Sequence, residues 1–347
     1  MTAAVLALGA FLFAACGQGL PQNTFEPAGP NAERQRFLFL LAFWIAVAIF
    51  VLVEGLIVFA AIRYRARRRE EAPVQIHGNT RLEIVWTIIP ALLLLFIGVP
   101  TIQGIFALAA QPRGDVVNVN VIAHQWWWEF EYPDERIVTA NELHIPVGRP
   151  VRMSMEVKET PGGQEKFGIQ PAKAVIHSLW VPRLSGTQDI IPGRVTTMTL
   201  QADVPGVYLG QCKEFCGIAH ANMRFRVIAQ PAGEYETWLT AQKAKPPEPE
   251  PGSDAEAGAE VFQQFPGGSC LACHSIDPSG EGSRVGPNLT HFGSRTTFAA
   301  GLFPNDAPHL ERWLRNPDAM KDGAAMPDYN LSNDHIEDLA AYLRSLE

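Results

Sequence analysis

Two long apolar runs open the chain, and short alternating runs follow. Residues 37–62 are apolar except for Glu54, and Trp86 to Leu108 is uncharged, broken only by prolines and small polar residues. Each run is long enough for a tilted transmembrane helix. Arg63, Arg65, Arg67, Arg68 and Arg69 follow the first run directly. Cytoplasmic loops concentrate such charge, so the expected topology is a hairpin over residues 30–110 with its basic loop inside and both flanks outside. Everything after Gln111 is then extracytoplasmic. Glu54 is costly within a span; it either faces a partner helix in a larger complex or has a functional role.

Residues 1–15 are also apolar but too short to span. They end in Phe13-Ala14-Ala15-Cys16, which resembles the lipoprotein signal of bacteria, with cleavage before Cys16 and lipidation of that cysteine. No Lys or Arg precedes Cys16, so plain signal cleavage or retention stays open.

From 115 to 229 the period changes to two. Val117–Val121, Val151–Met155, Val175–Val181, Val195–Leu200, Gly206–Leu209 and Phe225–Ile228 read as short strands between Gly and Pro turns. That pattern predicts an all-β sandwich or barrel over 111–230. Residues 232–243 read as a short helix. Lys245-Pro246-Pro247-Glu248-Pro249-Glu250-Pro251-Gly252 reads as an extended, semi-rigid linker, so 231–251 connects two domains. Beyond it, 255–265 and 334–346 have helical periodicity, with Asn333 or Ser332 placed to cap the second.

The 347 residues suit several domains, and the net charge of −8 is unevenly placed. Residues 252–347 hold 14 acidic and 6 basic side chains, while the rest of the chain is balanced. Nucleic acid, which needs basic clusters, is not an expected partner. A basic protein partner, or simple solubility, suits the acidity. The five cysteines, Cys16, Cys212, Cys216, Cys270 and Cys273, fall in three settings, which argues against a disulfide framework.

The run Cys212-Lys213-Glu214-Phe215-Cys216-Gly217-Ile218-Ala219-His220-Ala221-Asn222-Met223 puts two thiols, an imidazole and a thioether in one loop, and His177 lies on a predicted strand. Soft sulfur ligands with imidazole favour copper, and two bridging thiolates can hold a pair of copper ions. A small-loop disulfide and a zinc site remain alternatives on spacing alone, although neither accounts for Met223.

Over residues 30–230 the chain resembles cytochrome c oxidase subunit II. The signature C-x-E-x-C-x-x-x-H-x-x-M carries the resemblance. It is joined by Glu83-Ile84-Val85-Trp86-Thr87-Ile88-Ile89-Pro90, the aromatic run His124 to Tyr132, Val175-Ile176-His177-Ser178 and Asp189-Ile190-Ile191-Pro192-Gly193-Arg194. The resemblance implies a cupredoxin-like fold with a dinuclear copper (CuA) centre. In it Cys212 and Cys216 bridge, His177 and His220 are terminal ligands, and Met223 and the Glu214 carbonyl are weak ones. It further implies that the Glu214 carboxylate helps bind a magnesium or manganese ion shared with subunit I. Trp126 is then where electrons enter, and Glu83 is the mouth of a proton pathway. A carboxylate is favoured at any helix N-terminus, however, so Glu83 also has a plain structural reading. The chain departs from the family at Trp127, where Tyr is frequent, at Ala174, where an acidic residue is common, and in a longer Lys158–Lys173 loop. These departures put the usual docking site for soluble cytochrome c in question.

Cys270-Leu271-Ala272-Cys273-His274 is C-x-x-C-H, the attachment signal of c-type haem. His274 is one expected axial ligand. Met326, in Gly323-Ala324-Ala325-Met326-Pro327, is favoured over Met320 as the second, and a Met/His pair raises the haem potential. Residues 252–347 resemble a small, all-α class I cytochrome c; His291, His309 and His335 read as surface residues.

The expected architecture is a two-helix transmembrane hairpin, a cupredoxin-like β-barrel and a cytochrome c domain in a bacterial plasma membrane. The resemblance implies one subunit of a proton-translocating oxidase of the caa type. A cytochrome c or another donor would supply electrons, and subunit I would reduce oxygen. The electron-accepting subunit of a CuA-containing nitric oxide reductase is the alternative, and a membrane-tethered copper carrier a weaker one. A linker holding the donor domain near the copper domain gives an effective concentration on the order of millimolar, weakening the need for a docking patch.

Overall fold

The computed structural model describes residues 19–65, 75, 78–158 and 174–347. The Cys16 signal, Arg67 to Arg69 and nearly all of the Lys158–Lys173 loop lie outside the described residues.

Helices α1 (Pro30–Arg63) and α2 (Thr80–Ala109) have 34 and 30 residues. At about 1.5 Å per residue they run roughly 51 and 45 Å, well beyond the ~30 Å hydrocarbon core. Both overrun the apolar spans read from sequence because polar residues extend each one. At the start of α1, Glu33 and Arg36 pair at 2.8 Å. At the start of α2, the Asn79 side chain accepts from the Arg81 and Leu82 amides, covering donors that no helical carbonyl reaches. Gly104 of α2 packs beneath Leu38 and Arg34 of α1, so the helices are antiparallel there. The apolar faces are otherwise open: Phe50 is 65% and Leu94 70% exposed. Helices apolar on every side suit lipid or partner helices.

The β domain holds two five-stranded sheets. One has the order β3 (Ile137–Ala140), β2 (Trp127–Tyr132), β1 (Val117–His124), β5 (Val151–Val157), β8 (Thr196–Leu200). The other runs β4 (Glu142–Pro146), β10 (Arg224–Gln230), β9 (Gly206–Cys212), β6 (His177–Trp180), β7 (Thr187–Ile190). The β1–β5 and β10–β4 pairs are parallel and the other pairs antiparallel. Alternation sets the inner faces: Val151, Met153 and Met155 are buried on β5, while Arg152 and Ser154 between them are less so. Trp128, Phe130 and Phe225 meet in the core between the sheets. Strands β3, β4 and β7 go beyond the sequence reading. They are four or five residues long, and β3 and β4 are joined only by Asn141, at φ +63°. Helix α3 (Ala232–Lys243), as expected, closes the domain, burying Tyr235 and Leu239.

In the C-terminal domain α4 (Asp254–Gln263) crosses α7 (Asn333–Ser345). Ser253 and Ser332 cap them, accepting from the Glu256 and His335 amides. The crossing requires glycine at 258: a Cβ there would lie 2.0 Å from the Asp338 carbonyl oxygen. The domain adds α5 (Ala307–Arg315), α6 (Pro317–Met320) and a two-residue ladder of β11 (Thr297–Phe298) and β12 (Phe303–Pro304). Helix α5 escaped the sequence reading because it is short, though Asp306 caps it and Leu310 and Leu314 bury one face. His291 is a correction: it is 4% exposed, with Nε2 3.2 Å from the Gln242 carbonyl of α3. It reads as polar surface in isolation, but the two domains close over it.

Candidate metal centres

The copper loop joins β9 to β10. The Cys212 amide donates to the Met223 carbonyl (3.0 Å), closing the loop, and the Lys213 amide donates to Ser178 O (2.9 Å), tying it to β6. His177 opens β6, so the sheet itself carries the distant imidazole to the loop. Cys212 Sγ and Cys216 Sγ lie 3.9 Å apart, unbonded and buried. His177 Nδ1 is 3.8 Å from Cys212 Sγ, and His220 Nδ1 is 3.5 Å from Cys216 Sγ. Met223 Sδ is 3.8 Å from Cys216 Sγ, and the Glu214 carbonyl is 3.2 Å from Cys212 Sγ. All six donors read from the sequence thus meet at one place.

Electrostatics fit a metal. The hydrogen bond between the thiols lowers the Cys212 pKa to about 3 and pushes that of Cys216 up. The pairing thus favours a thiolate on Cys212, the form that binds a metal cation. The fully buried His177 Nε2 has no hydrogen-bond partner among the described residues. The two thiols stand unbonded in this structure, and six converging donors exceed the four of a structural zinc site. The soft set fits copper.

Indoles surround this loop. Trp126 Nε1 donates to the Cys216 carbonyl (3.0 Å), as does Gln125 Nε2 (2.7 Å). Trp128, fully buried, presents an edge to His177 with centroids 6.3 Å apart. Trp127 stacks on His124 at 4.0 Å.

The C-x-x-C-H segment lies in a largely apolar cleft of about 1300 Å³, counting its open mouth. Cys270, Cys273, His274 and Met326 all line it. His274 Nδ1 is 2.7 Å from the Pro287 carbonyl, fixing the ring and leaving Nε2 as the ligating nitrogen. Burial lowers the pKa of His274, keeping it neutral. Gly286 lies flat against that ring: a Cβ there would fall 2.5 Å from Cε1. Two free thiols, an oriented imidazole and a thioether around one apolar slot fit a covalent haem. Met320 ends α6 and is not among the lining residues, which favours Met326.

Glu83 sits in the first turn of α2, and the Glu214 carboxylate is exposed. Glu54 lies in α1 with an exposed side chain. Several residues around the sites escaped the sequence reading. Lys321, 6% exposed, donates from Nζ to the Trp126 carbonyl (2.7 Å). Arg284 pairs with Glu129 and Glu131. Each is an ordinary charge in sequence and gains a role only through contacts about 150–200 positions away.

With these geometries established, comparison with known proteins defines the class. A family model described as "Cytochrome C oxidase subunit II, periplasmic domain" matches residues 117–230, its transmembrane counterpart matches 19–103, and a cytochrome c model matches 255–347. Cytochrome c oxidase subunit 2 of Alkalihalophilus pseudofirmus is 36% identical, covering 94% of this chain and 91% of the relative. That of Bacillus sp. (strain PS3) is 33% identical, covering 97% and 95%. The quinol oxidase subunit 2 of Bacillus cereus is 32% identical over 68% of this chain and 78% of its own. The periplasmic domain of the Bradyrhizobium japonicum oxidase subunit II covers 37% of this chain and 94% of its own at 23% identity, TM-score 0.31. The chain belongs to the cytochrome c oxidase subunit II family. It is a membrane-associated oxidoreductase subunit with a copper-binding β domain and a C-terminal cytochrome c domain.

Proposed function

We propose that this chain is the electron-accepting subunit of a respiratory haem-copper oxidase in a bacterial plasma membrane, passing electrons from a cytochrome c donor through its own haem c to a dinuclear CuA centre. Subunit I would then reduce oxygen to water with proton translocation. The observation that carries this reading is the convergence of His177, Cys212, the Glu214 carbonyl, Cys216, His220 and Met223 in a chain whose second domain gathers Cys270, Cys273, His274 and Met326. When bound, these groups supply one-electron redox chemistry. The protein's part is to hold the donors stiffly at the end of β6, β9 and β10, neighbours in one sheet, so little rearranges when charge changes.

Trp126 is the proposed conduit, because it lines the haem cleft and bonds the Cys216 carbonyl. Glu83 is assigned to the mouth of a proton pathway, and the Glu214 carboxylate to a magnesium or manganese ion shared with subunit I. Signal cleavage before Cys16 with lipidation, and the domain limits 30–110, 111–230, 231–251 and 252–347, complete the proposal. The relatives reported above are cytochrome c and quinol oxidase subunits and give nitric oxide reductase no support. A quinol oxidase role does not need the copper ligands present here.

The test is optical and EPR spectroscopy of the full chain, purified with its complex. A c-type haem spectrum with a mixed-valence signal spread over two copper nuclei, together with oxygen consumption, is expected. A haem spectrum without a copper signal, despite copper supply and free thiols, would refute the dicopper assignment.

A further inference from the structure

A linker alone does not fix where the cytochrome domain sits, yet the two domains share a built seat. Glu142 of β4 is 3% exposed, and its Oε1 accepts from the Thr296 amide (3.1 Å) and hydroxyl (2.5 Å) and from the Thr297 amide (3.0 Å) and hydroxyl (2.9 Å). Arg226 of β10 donates to Thr297 Oγ1 (2.5 Å) and to the Gly301 carbonyl (3.1 Å). On the other flank, Arg284 of the cytochrome domain pairs with Glu129, 2% exposed, and with Glu131. The Val138 amide donates to the Pro278 carbonyl (3.0 Å), and Gly280 packs against the Val138 side chain. Between these anchors, Lys321 donates to the Trp126 carbonyl, and Gly323 lies so close that a Cβ would be 3.0 Å from the Trp126 ring and 2.3 Å from Ile218.

Surface ion pairs contribute little, but Glu142 and Glu129 are buried while the domain is docked, so removing one partner there would leave a buried charge unpaired, which is strongly destabilising. Undocking would strip Glu142 of four donors and Glu129 of its cation at once, although water would then reach both. A docked domain also covers the Trp126 face with the wall of the haem cleft.

We infer that the cytochrome domain works from one latched position on the β domain, held by the Glu142–Thr296/Thr297 and Glu129/Glu131–Arg284 clamps, with Trp126 as the wall shared by the two sites. Arg284 and Glu142 are thus positioning residues for electron transfer, and a soluble donor has to deliver to the haem rather than to Trp126. This rests on the function proposed above. The step served moves one electron from the haem iron to the copper pair, with no bond made or broken.

The experiment is amide hydrogen exchange on the intact, cofactor-loaded complex, with copper and haem spectra recorded on the same samples. Protection is expected at Thr296 and Thr297. Exchange there should be at least tenfold faster in Arg284→Glu and in Glu142→Ala, while both spectra stay as in the parent. Reduction of copper by photoreduced haem should slow in the same two variants. Unprotected Thr296 and Thr297 amides in the parent would overturn the latch, as would two variants that leave both exchange and transfer unchanged. Missing copper or haem signals in the parent would instead count against the function itself.

Discussion

Replacing Gly258 by Ala sets two well-measured effects against each other. Gly258 lies in the middle of α4, where exchanging Gly for Ala in an open helix stabilises by about 1 kcal/mol. The structure opposes that gain. The new Cβ would lie 2.0 Å from Asp338 O, 2.5 Å from Asp338 C and 2.7 Å from Tyr342 Cβ. Two of these are backbone atoms of α7, so no side chain can swing aside. Ordinary contact needs roughly 3.5 Å, so α4 and α7 must part by an ångström or more. Overpacking of this kind costs about 1–3 kcal/mol and at times more, and parting also loosens Phe262 against Tyr342, whose rings are 5.4 Å apart. Because the clash is with backbone that cannot swing aside, it outweighs the gain, with net destabilisation of up to about 2 kcal/mol. For a domain of this size each kcal/mol is worth about 4–8 °C in Tm. The cytochrome domain, followed through its haem absorbance in the full chain, should melt lower, by up to about 15 °C. Gly233→Ala in α3 is the control, because nothing among the described residues lies within 4 Å of its Cβ position; its melting should hold steady or rise. A Gly258→Ala variant that melts higher than the parent would refute the close α4–α7 crossing.

Gly286→Ala drives a Cβ into the His274 ring and should disturb axial ligation. Haem absorbance should change while covalent attachment persists on a denaturing gel. Met326→Ala should lower the haem potential in a redox titration, and Met320→Ala should not, because only Met326 lines the cleft and thioether ligation raises the potential. His124, 7% exposed, has its pKa lowered to about 3 by burial and then by the nearby Arg284 charge. The unfolded chain takes up that proton below about pH 6.5 and the fold does not. His124 therefore adds no penalty above pH 6.5 and destabilises the fold progressively from 6.5 down to about 3, by at most about 1.4 kcal/mol per pH unit. Denaturant midpoints at pH 7 and pH 5 should differ less in His124→Phe than in the parent.

Periodicity and spacing determined much of this protein. The transmembrane runs, helix α3, the ends of the chain's last helix and the local ligand set from Cys212 to Met223 are encoded over a few consecutive residues. A period of two or of 3.6, or ligands a few positions apart, needs no knowledge of the fold. The short strands β3 and β4 and the helix α5 were not legible, because four to nine residues hold too few repeats to show a period. Periodicity and spacing left His177 apart from Cys212; the family resemblance grouped them, and the tertiary structure supplies the physical reason, since β6 and β9 become neighbours through sheet pairing. Only the tertiary structure turned Arg284, Glu142 and Lys321 from surface-like charges into contacts between domains, and His291 from a surface residue into a buried one. Pairing partners so far apart in sequence are selected by the burial of a whole interface, a property no local window of the chain contains.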